Sequence, residues 1–423
     1  MYRTRCPFTT LPKFKHSNLH ADMIYNTQSP RKTLPPKVTT FPWRNGNRFH
    51  LLEDGPRYMP RILSFLETAQ REILIEMYLM ESGELCGHLI NTLASAVERG
   101  VEVKLLIDDF GSQKLKPEDR ERIVKSGIVM QVYNPLMLSK GLNNLSRDHR
   151  KLIVIDNVYA FIGGLGFCDE FFSPAQFHAD WYDLVLQIEG PVVHDWQQLF
   201  LSTWQNQKHA VFAIANPIPA QHPPKGSALA HIALTYGLRK QEIKRNLVNR
   251  IAQARNHIWL ATAYFLPSMK IRRALSKAAK RGVDVRLLLP GPYCDHPPIR
   301  HAGRRFYSQL LKKGVKIYEY QPRFMHAKLA ICDDWVSIGS SNFDRWNSTW
   351  NLDANQEIFD LNIKEQLLKL LRRNFALSEE ITPSLWMGRP WHHRTRERLW
   401  GYIDVWLYHY AHRVTFKKSN KEK

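Results

Sequence analysis

Cysteine is scarce in this chain: Cys6, Cys86, Cys168, Cys294 and Cys332 are all that 423 residues contain. The number is odd, the positions are scattered and no C-x-x-C pair occurs. Neither a disulfide framework nor a zinc site is indicated, and a reducing compartment fits best. No apolar run is long enough to cross a bilayer uninterrupted. The first forty residues are basic and contain proline, but lack the apolar core of a secretory signal. The expectation is a soluble or peripheral protein, not a spanning one. Acidic residues are also short, with 39 Asp and Glu against 60 Lys and Arg, a formal charge of +21. That excess attracts a polyanion, and nucleic acid and anionic lipid both qualify.

Apolar residues are sufficient, at 44%, to build real cores in two ordinary domains or one large one. The sequence also repeats. ERGVEVKLLID (98–108) matches KRGVDVRLLLP (280–290) almost position by position, and KSGIVMQVYNP (125–135) matches KKGVKIYEYQP (312–322). Upstream of these, AQREILIEMYLM resembles ARNHIWLATAYFLP in kind. The order strand, helix, strand, helix, strand is therefore used twice, which is a duplication. Buried strands alternating with helices indicate an α/β fold of two similar lobes facing each other. Residues 1–41 read as a basic, disordered tail, 42–210 as the first lobe and 241–378 as the second. The intervening 211–240, with the Pro-rich NPIPAQHPPKG, reads as a linker. The first lobe carries about ten extra residues in LMLSKGLNNLSR, ahead of His149.

Each copy of the repeat ends in the same pattern. HRKLIVID begins at His149 and HAKLAICD at His326, and each leads through an apolar stretch to a turn of small residues, IGGLGF or IGSSNFD. One histidine at the edge of an apolar strand is ordinarily structural. Two at equivalent repeat positions, each followed by a lysine (Lys151, Lys328) and an aspartate (Asp156, Asp333), are a stronger signal. A pseudo-twofold axis would bring both histidines over one substrate atom. Two imidazoles and two ammonium groups repel a cation but suit a phosphate under attack. One imidazole, neutral, can attack phosphorus while the other, protonated, donates to the leaving oxygen, with neither metal nor cofactor required.

At these residues the chain resembles the phospholipase D superfamily, whose signature is a duplicated H-x-K-(x)4-D motif followed by a G-[GS]-x-N turn. The second copy fits throughout, with His326, Lys328, Asp333, Gly339, Ser340 and Asn342. The first keeps His149, Lys151, Asp156, Gly163 and Gly164 but has Gly166 where the family usually has Asn. Within the superfamily the chain looks most like bacterial cardiolipin synthases of the B type, across roughly residues 42–378. The likeness includes WYDLVLQIEGPVV, ATAYFLP and DHPPIRHAGRRFYSQLLKKGVKIYEY. The resemblance implies two phospholipase D-like lobes related by a pseudo-twofold, with the active site at their interface. It implies a catalytic set of His149, Lys151, Asp156, His326, Lys328 and Asp333, with His149 as nucleophile and His326 as general acid, and Ser340 and Asn342 at the substrate phosphate. An acidic residue about thirty positions after each motif orients a histidine in the family. The matching positions here are Asp183 and Asp353, with Glu357 a rival to the latter.

The expected activity is transfer of a phosphatidyl group from one phospholipid to the hydroxyl of another through a phosphohistidine, with phospholipid substrates and an anionic membrane as partners. The expected location is peripheral, on the cytoplasmic face of the bacterial cell membrane. A lipid hydrolase shares the covalent intermediate and is the alternative; a nuclease, needing a nucleic-acid partner, fits the lipid-synthase-like stretches less well, and a mere binding module leaves both His-Lys pairs unexplained. Segment 379–423 is basic and amphipathic: Leu399, Trp400, Ile403, Trp406, Leu407 and Tyr410 share a helical face, flanked by Arg394, Arg396, Arg398, Arg413, Lys417 and Lys418. Such a helix suits a membrane interface, or packs on the domain.

Overall fold

The computed structural model describes residues 40–205 and 223–419. The first lobe contains strands β1 (Arg44–Glu53), β2 (Glu72–Met77), β3 (Glu102–Asp108), β4 (Val129–Tyr133), β5 (Lys151–Ile155), β6 (Tyr159–Gly163), β7 (Trp181–Tyr182) and β8 (Leu184–Glu189). Its helices are α1 (Gly55–Glu67), α2 (Glu84–Glu98), α3 (Pro117–Lys125) and α4 (Val192–Gln205). The second lobe repeats the plan with β9 (Ala228–Tyr236), β10 (Lys240–Gln241), β11 (His257–Ala261), β12 (Asp284–Pro290), β13 (Lys316–Tyr320), β14 (Phe324–Met325), β15 (Leu329–Cys332), β16 (Trp335–Gly339), β17 (Leu352–Phe359) and β18 (Ser378–Glu380). Its helices are α5 (Glu242–Gln253), α6 (Met269–Lys280), α7 (Pro297–Arg304), α8 (Tyr307–Leu311), α9 (Asn347–Trp350), α10 (Leu361–Ala376), α11 (Pro383–Met387) and α12 (Trp391–Ser419).

Among the described residues, sixteen strands join in one sheet. Its first half runs β4-β3-β2-β5-β6-β8-β1 and its second half β9-β17-β16-β15-β11-β12-β13-β18, so the order is mirrored across an antiparallel seam between β1 and β9. In each half three strands are parallel (β2, β3, β4; β11, β12, β13), and the motif strand, β5 or β15, lies antiparallel beside them. The motif strands are continuous apolar runs, KLIVI and LAIC, because the sheet is covered on both faces. One shared core spans both lobes on one face, where α4 (Val193, Trp196, Phe200) and α10 (Leu367, Leu371, Phe375) cover the sheet. The opposite face is covered lobe by lobe, by α1 and α2 in the first and by α5 and α6 in the second. The buried Trp196 indole donates to Gln356 at 2.8 Å and ties the lobes together.

Two readings of the sequence change here. The stretch 211–240 is in part a central strand. Ala228–Tyr236 pairs with β17 from Leu229 to Tyr236 and supplies the second lobe with the counterpart of β1. Its sequence ALAHIALTY is apolar enough to be covered on both faces, unlike a linker. The Pro-rich part through residue 222, and the tail through residue 39, lie outside the described residues. The extra residues before His149 form 3-10 turns over Leu138–Leu145.

Candidate active site

His149 and His326 stand just ahead of the strands β5 and β15, at the end of the sheet where the parallel strands finish. This is the edge at which open α/β sheets bind ligands. The backbone hooks each histidine onto the opposite lobe. His149 N donates to Leu352 O at 3.0 Å, and Leu352 N donates to Arg147 O at 2.8 Å. In the symmetric position β14 pairs with β7, and His326 N donates to Tyr182 O at 2.8 Å. The next residue on each borrowed strand is the acidic one. His149 Nδ1–H therefore donates to Asp353 Oδ1 at 2.9 Å, and His326 Nδ1–H to Asp183 Oδ2 at 2.6 Å. A carboxylate only accepts, so each Nδ1 carries the proton and each Nε2 has its lone pair free.

Small residues make room for this arrangement. A Cβ on Gly164 would lie 2.2 Å from Asp183 Oδ2, so only glycine lets that carboxylate approach. The corresponding Ser340 uses its hydroxyl: Oγ donates to Asp353 Oδ1 at 2.8 Å. Ser340 thus orients Asp353. Asn342 accepts from Thr262 Oγ1 at 3.2 Å and is absent from the wall of the cavity over the histidines. At Gly166 a Cβ would lie 2.9 Å from Phe171 Cε2. The ring of Phe171, edge-on to His326 with centroids 5.5 Å apart, occupies the space a larger residue would need.

Both lysines are buried beside their histidines. Lys151 Nζ donates to His149 O at 2.5 Å and sits over the Tyr78 ring; Lys328 Nζ donates to His326 O. Burial and the mutual repulsion of the two ammonium groups push Lys151 well below its usual value. Burial holds Lys328 down to about 8. Burial and the neighbouring lysines outweigh the carboxylates and hold both His149 and His326 at about 4. Without a bound phosphate both imidazoles are therefore neutral, whereas the sequence reading had one of them protonated near neutral pH.

The histidines share a cavity of about 760 Å³. Its floor carries His149, His326, Lys151, Tyr78, Tyr264 and Asp295, and its walls are largely apolar, including Phe110, Phe171, Trp181, Ile299, Trp346 and Trp400. Burial pushes Asp344, also in the wall, up to about 7. The Tyr264 hydroxyl donates to Asp295. Tyr78, Tyr264, Asp295 and Asp344 were not singled out from sequence. The tyrosine shared by EMYLM and TAYFLP, each at the end of a parallel strand, was the available signal.

Asp156 and Asp333 do not enter this cavity. Each lies just past the far end of its motif strand, at the opposite end from its histidine. Asp156 has φ 54° and accepts from Gln70 N, Arg71 N and Glu72 N; Asp333 has φ 50° and accepts from Arg255 N, Asn256 N and His257 N. They staple the turn after the motif strand to the start of β2 or β11. A strand's rise carries position seven of the motif away from position zero, and this geometry does not support a catalytic role for either. Glu357 accepts from Asn246 Nδ2 at 2.9 Å, which leaves Asp353 as the partner of His149.

Helix α12 also differs from the single apolar face expected. Its inward ridge is Glu397, Gly401 and Asp404, because Arg304, Arg389, Arg305 and Arg345 wait beneath it as ion-pair partners. Trp400, Ile403 and Leu407 line the cavity, while Leu399, Tyr402, Trp406 and Tyr410 face outward.

A family profile described as "Cardiolipin synthase, PLD-like domain" matches residues 62–204 and 247–375. The chain is 32% identical over 363 residues to "Cardiolipin synthase B" of Escherichia coli (strain K12), covering 84% of this chain and 87% of that one. It is 32% identical over 351 residues to "Cardiolipin synthase" of Alkalihalophilus pseudofirmus, covering 82% and 70%. Among solved structures, phosphatidylserine synthase of Haemophilus influenzae Rd KW20 shares the fold, with a TM-score of 0.68 at 11% identity over 87% of this chain and 94% of that one.

Proposed function

The chain belongs to the cardiolipin synthase family with a phospholipase D-like domain, and we propose that it is a phosphatidyltransferase, moving a phosphatidyl group from one phospholipid to the hydroxyl of a phosphatidylglycerol-type acceptor. The observation that carries this reading is one cavity with two carboxylate-anchored imidazoles on its floor and apolar walls above them. The floor suits a phosphodiester and the walls suit acyl chains. Among the described residues the wall holds no arginine, and Lys114 is paired with Glu81, which favours lipid over a nucleic-acid backbone.

In the proposed reaction His149 Nε2 attacks phosphorus, forming a P–N bond as the bond from phosphorus to the donor's alcohol oxygen breaks. His326 Nε2–H gives that oxygen its proton. The acceptor hydroxyl then loses its proton to His326 and attacks phosphorus, the P–N bond breaks, and His149 is free again. His326 is the better acid because the nearby Asp295 carboxylate favours its protonated form, and the incoming phosphodiester charge adds to it. Lys151, on the cavity floor, meets the phosphate, and Lys328 adds its charge from behind His326. Asp183, Asp353 and Ser340 act through the histidines.

Transfer is favoured over hydrolysis because Trp400, Ile403 and Leu407 of α12 extend the apolar wall and limit water at the intermediate. We place the protein peripherally on the cytoplasmic face of a bacterial membrane. Supporting this are its charge of +21, the outward aromatic residues of α12, and the absence among the described residues of any helix long and apolar enough to cross a membrane. The test is incubation of purified protein with phosphatidylglycerol vesicles, with and without phosphatidylethanolamine, followed by mass spectrometry of the lipids. Cardiolipin from the native chain, absent with His149→Ala and with His326→Ala, is expected. Phosphatidic acid alone would make the protein a hydrolase, and no lipid product would overturn the lipid assignment.

A further inference from the structure

A second cavity, of about 550 Å³ and open to solvent, lies on the adjoining flank of α12, lined by residues of α5, α6, α9 and α12. It is a different kind of space from the first. Its wall holds Arg272, Arg305, Arg345 and Lys244, and Asp404, which joins Arg305 and Arg345, is the carboxylate that offsets them.

The guanidinium groups are built into place. Arg272 and Arg305 both lie against the ring of Phe306, 4.3 Å and 4.5 Å from its centroid, and Arg345 lies 4.5 Å from that of Tyr408. Arg272 donates to the neutral Gln309 at 2.7 Å, so its charge meets no carboxylate there. Burial first, and then repulsion from Arg345 and Arg273, pushes Arg272 down. Three guanidinium groups and an ammonium around one carboxylate, stacked on aromatic rings and repelling one another, form a site short of an anion. The start of α6, from Ser268, lies in the same wall and adds the positive end of a twelve-residue helix.

The rim identifies the source of that anion. Leu238 and Met269 line the opening and are 42% and 54% exposed, and α12 carries the outward Trp406 and Tyr410. A free phosphate has no use for an apolar rim, whereas a lipid places acyl chains next to its headgroup.

We infer that this cavity is a second phosphate site, taking the headgroup phosphodiester of an anionic phospholipid with its chains directed over Leu238 and Met269. The site lies outside the cavity of the two histidines and shares α12 with it. A lipid bound there would hold α12 at the membrane in the position in which Trp400, Ile403 and Leu407 wall the catalytic cavity. The inference draws on the lipid reading for the source of the phosphate and not for the existence of the site.

The experiment measures binding and needs no turnover. The full chain, Arg272→Gln, and Arg272→Gln combined with Lys244→Gln are titrated calorimetrically with dihexanoylphosphatidylglycerol, dihexanoylphosphatidylcholine and sodium phosphate. Neither substituted residue anchors α12, and matching melting curves would verify that the variants fold. The native chain should bind phosphatidylglycerol in two events. One of these should weaken about tenfold in Arg272→Gln and further in the double variant, because a charge-assisted contact is lost. It should persist in His149→Ala, and phosphatidylcholine should not fill it. An isotherm for phosphatidylglycerol unchanged in both variants would overturn the site. Sodium phosphate binding there as tightly as the lipid would overturn the lipid as its ligand.

Discussion

The carboxylate of Asp353, in the second lobe, accepts the Nδ1–H of His149, in the first, at 2.9 Å; Asp183 of the first lobe does the same for His326 of the second at 2.6 Å. Neither lobe contains a complete histidine–carboxylate pair. The two histidine–carboxylate pairs exist only when the lobes are joined.

Replacing Asp353 by Asn should therefore damage the histidine of the other lobe. An amide can donate to Nδ1 and favour the wrong tautomer. We expect kcat to fall about 10²-fold or more with KM little changed, and Asp183→Asn to act alike. Steady-state kinetics on mixed vesicles would test this; an equal loss in KM alone would contradict an orienting role.

Both histidines are held at about 4, below the ordinary imidazole value, so the unfolded chain binds more protons than the folded one between about pH 6.5 and 4. Stability should accordingly fall as pH drops through that window. The acid limb of kcat/KM should lie below pH 6, since the free enzyme's base stays neutral down to about 4. Melting curves and a pH profile from 4 to 8 give both quantities. An acid limb centred at 6.5 would contradict this account of the site.

Asp156→Ala and Asp333→Ala should each cost about 2–3 kcal/mol of stability, because three backbone N–H groups lose a charged acceptor. The turnover of the remaining folded molecules should stay within about twofold. Denaturant titration paired with activity per folded molecule distinguishes this from a catalytic role, which would lower kcat by orders of magnitude.

Gly164→Ala should behave like the loss of Asp183, since the new Cβ would fall 2.2 Å from its carboxylate. Gly166→Ala meets instead the Phe171 ring and should cost about 1–3 kcal/mol by overpacking, partly regained with Phe171→Leu. Gly166→Asn should overpack the same ring, so restoring the residue usual in the family should not improve activity.

Removing the outward aromatics of α12 with Trp406→Ser and Tyr410→Ser should weaken sedimentation with anionic vesicles about tenfold, while turnover of a short-chain soluble lipid stays unchanged. Equal losses in both assays would assign these residues to the fold instead of the membrane.

Much of this protein was legible in one dimension because duplication writes each signal twice. The recurrence of the glycine-bounded strands and of His149-Lys151 and His326-Lys328 identified the α/β repeat and the phosphate chemistry. Strand β9 was not legible: a nine-residue run of mostly small apolar residues beside a Pro-rich stretch carries no period that separates it from a connector. The inward ridge of α12 was hidden for another reason. Its polar residues are buried only because arginines far along the chain meet them, so helical periodicity drew attention to the apolar residues instead.

The sequence by itself determined the paired His-Lys motifs, the repeated order of strands and helices, and the excess of positive charge, since these depend on local composition and spacing. Only the tertiary structure decided that each aspartate serves the other lobe's histidine, that Asp156 and Asp333 hold turns at the opposite end of the sheet, and that the imidazoles rest neutral. Those outcomes depend on burial and on contacts between positions up to about two hundred residues apart, which no local pattern encodes.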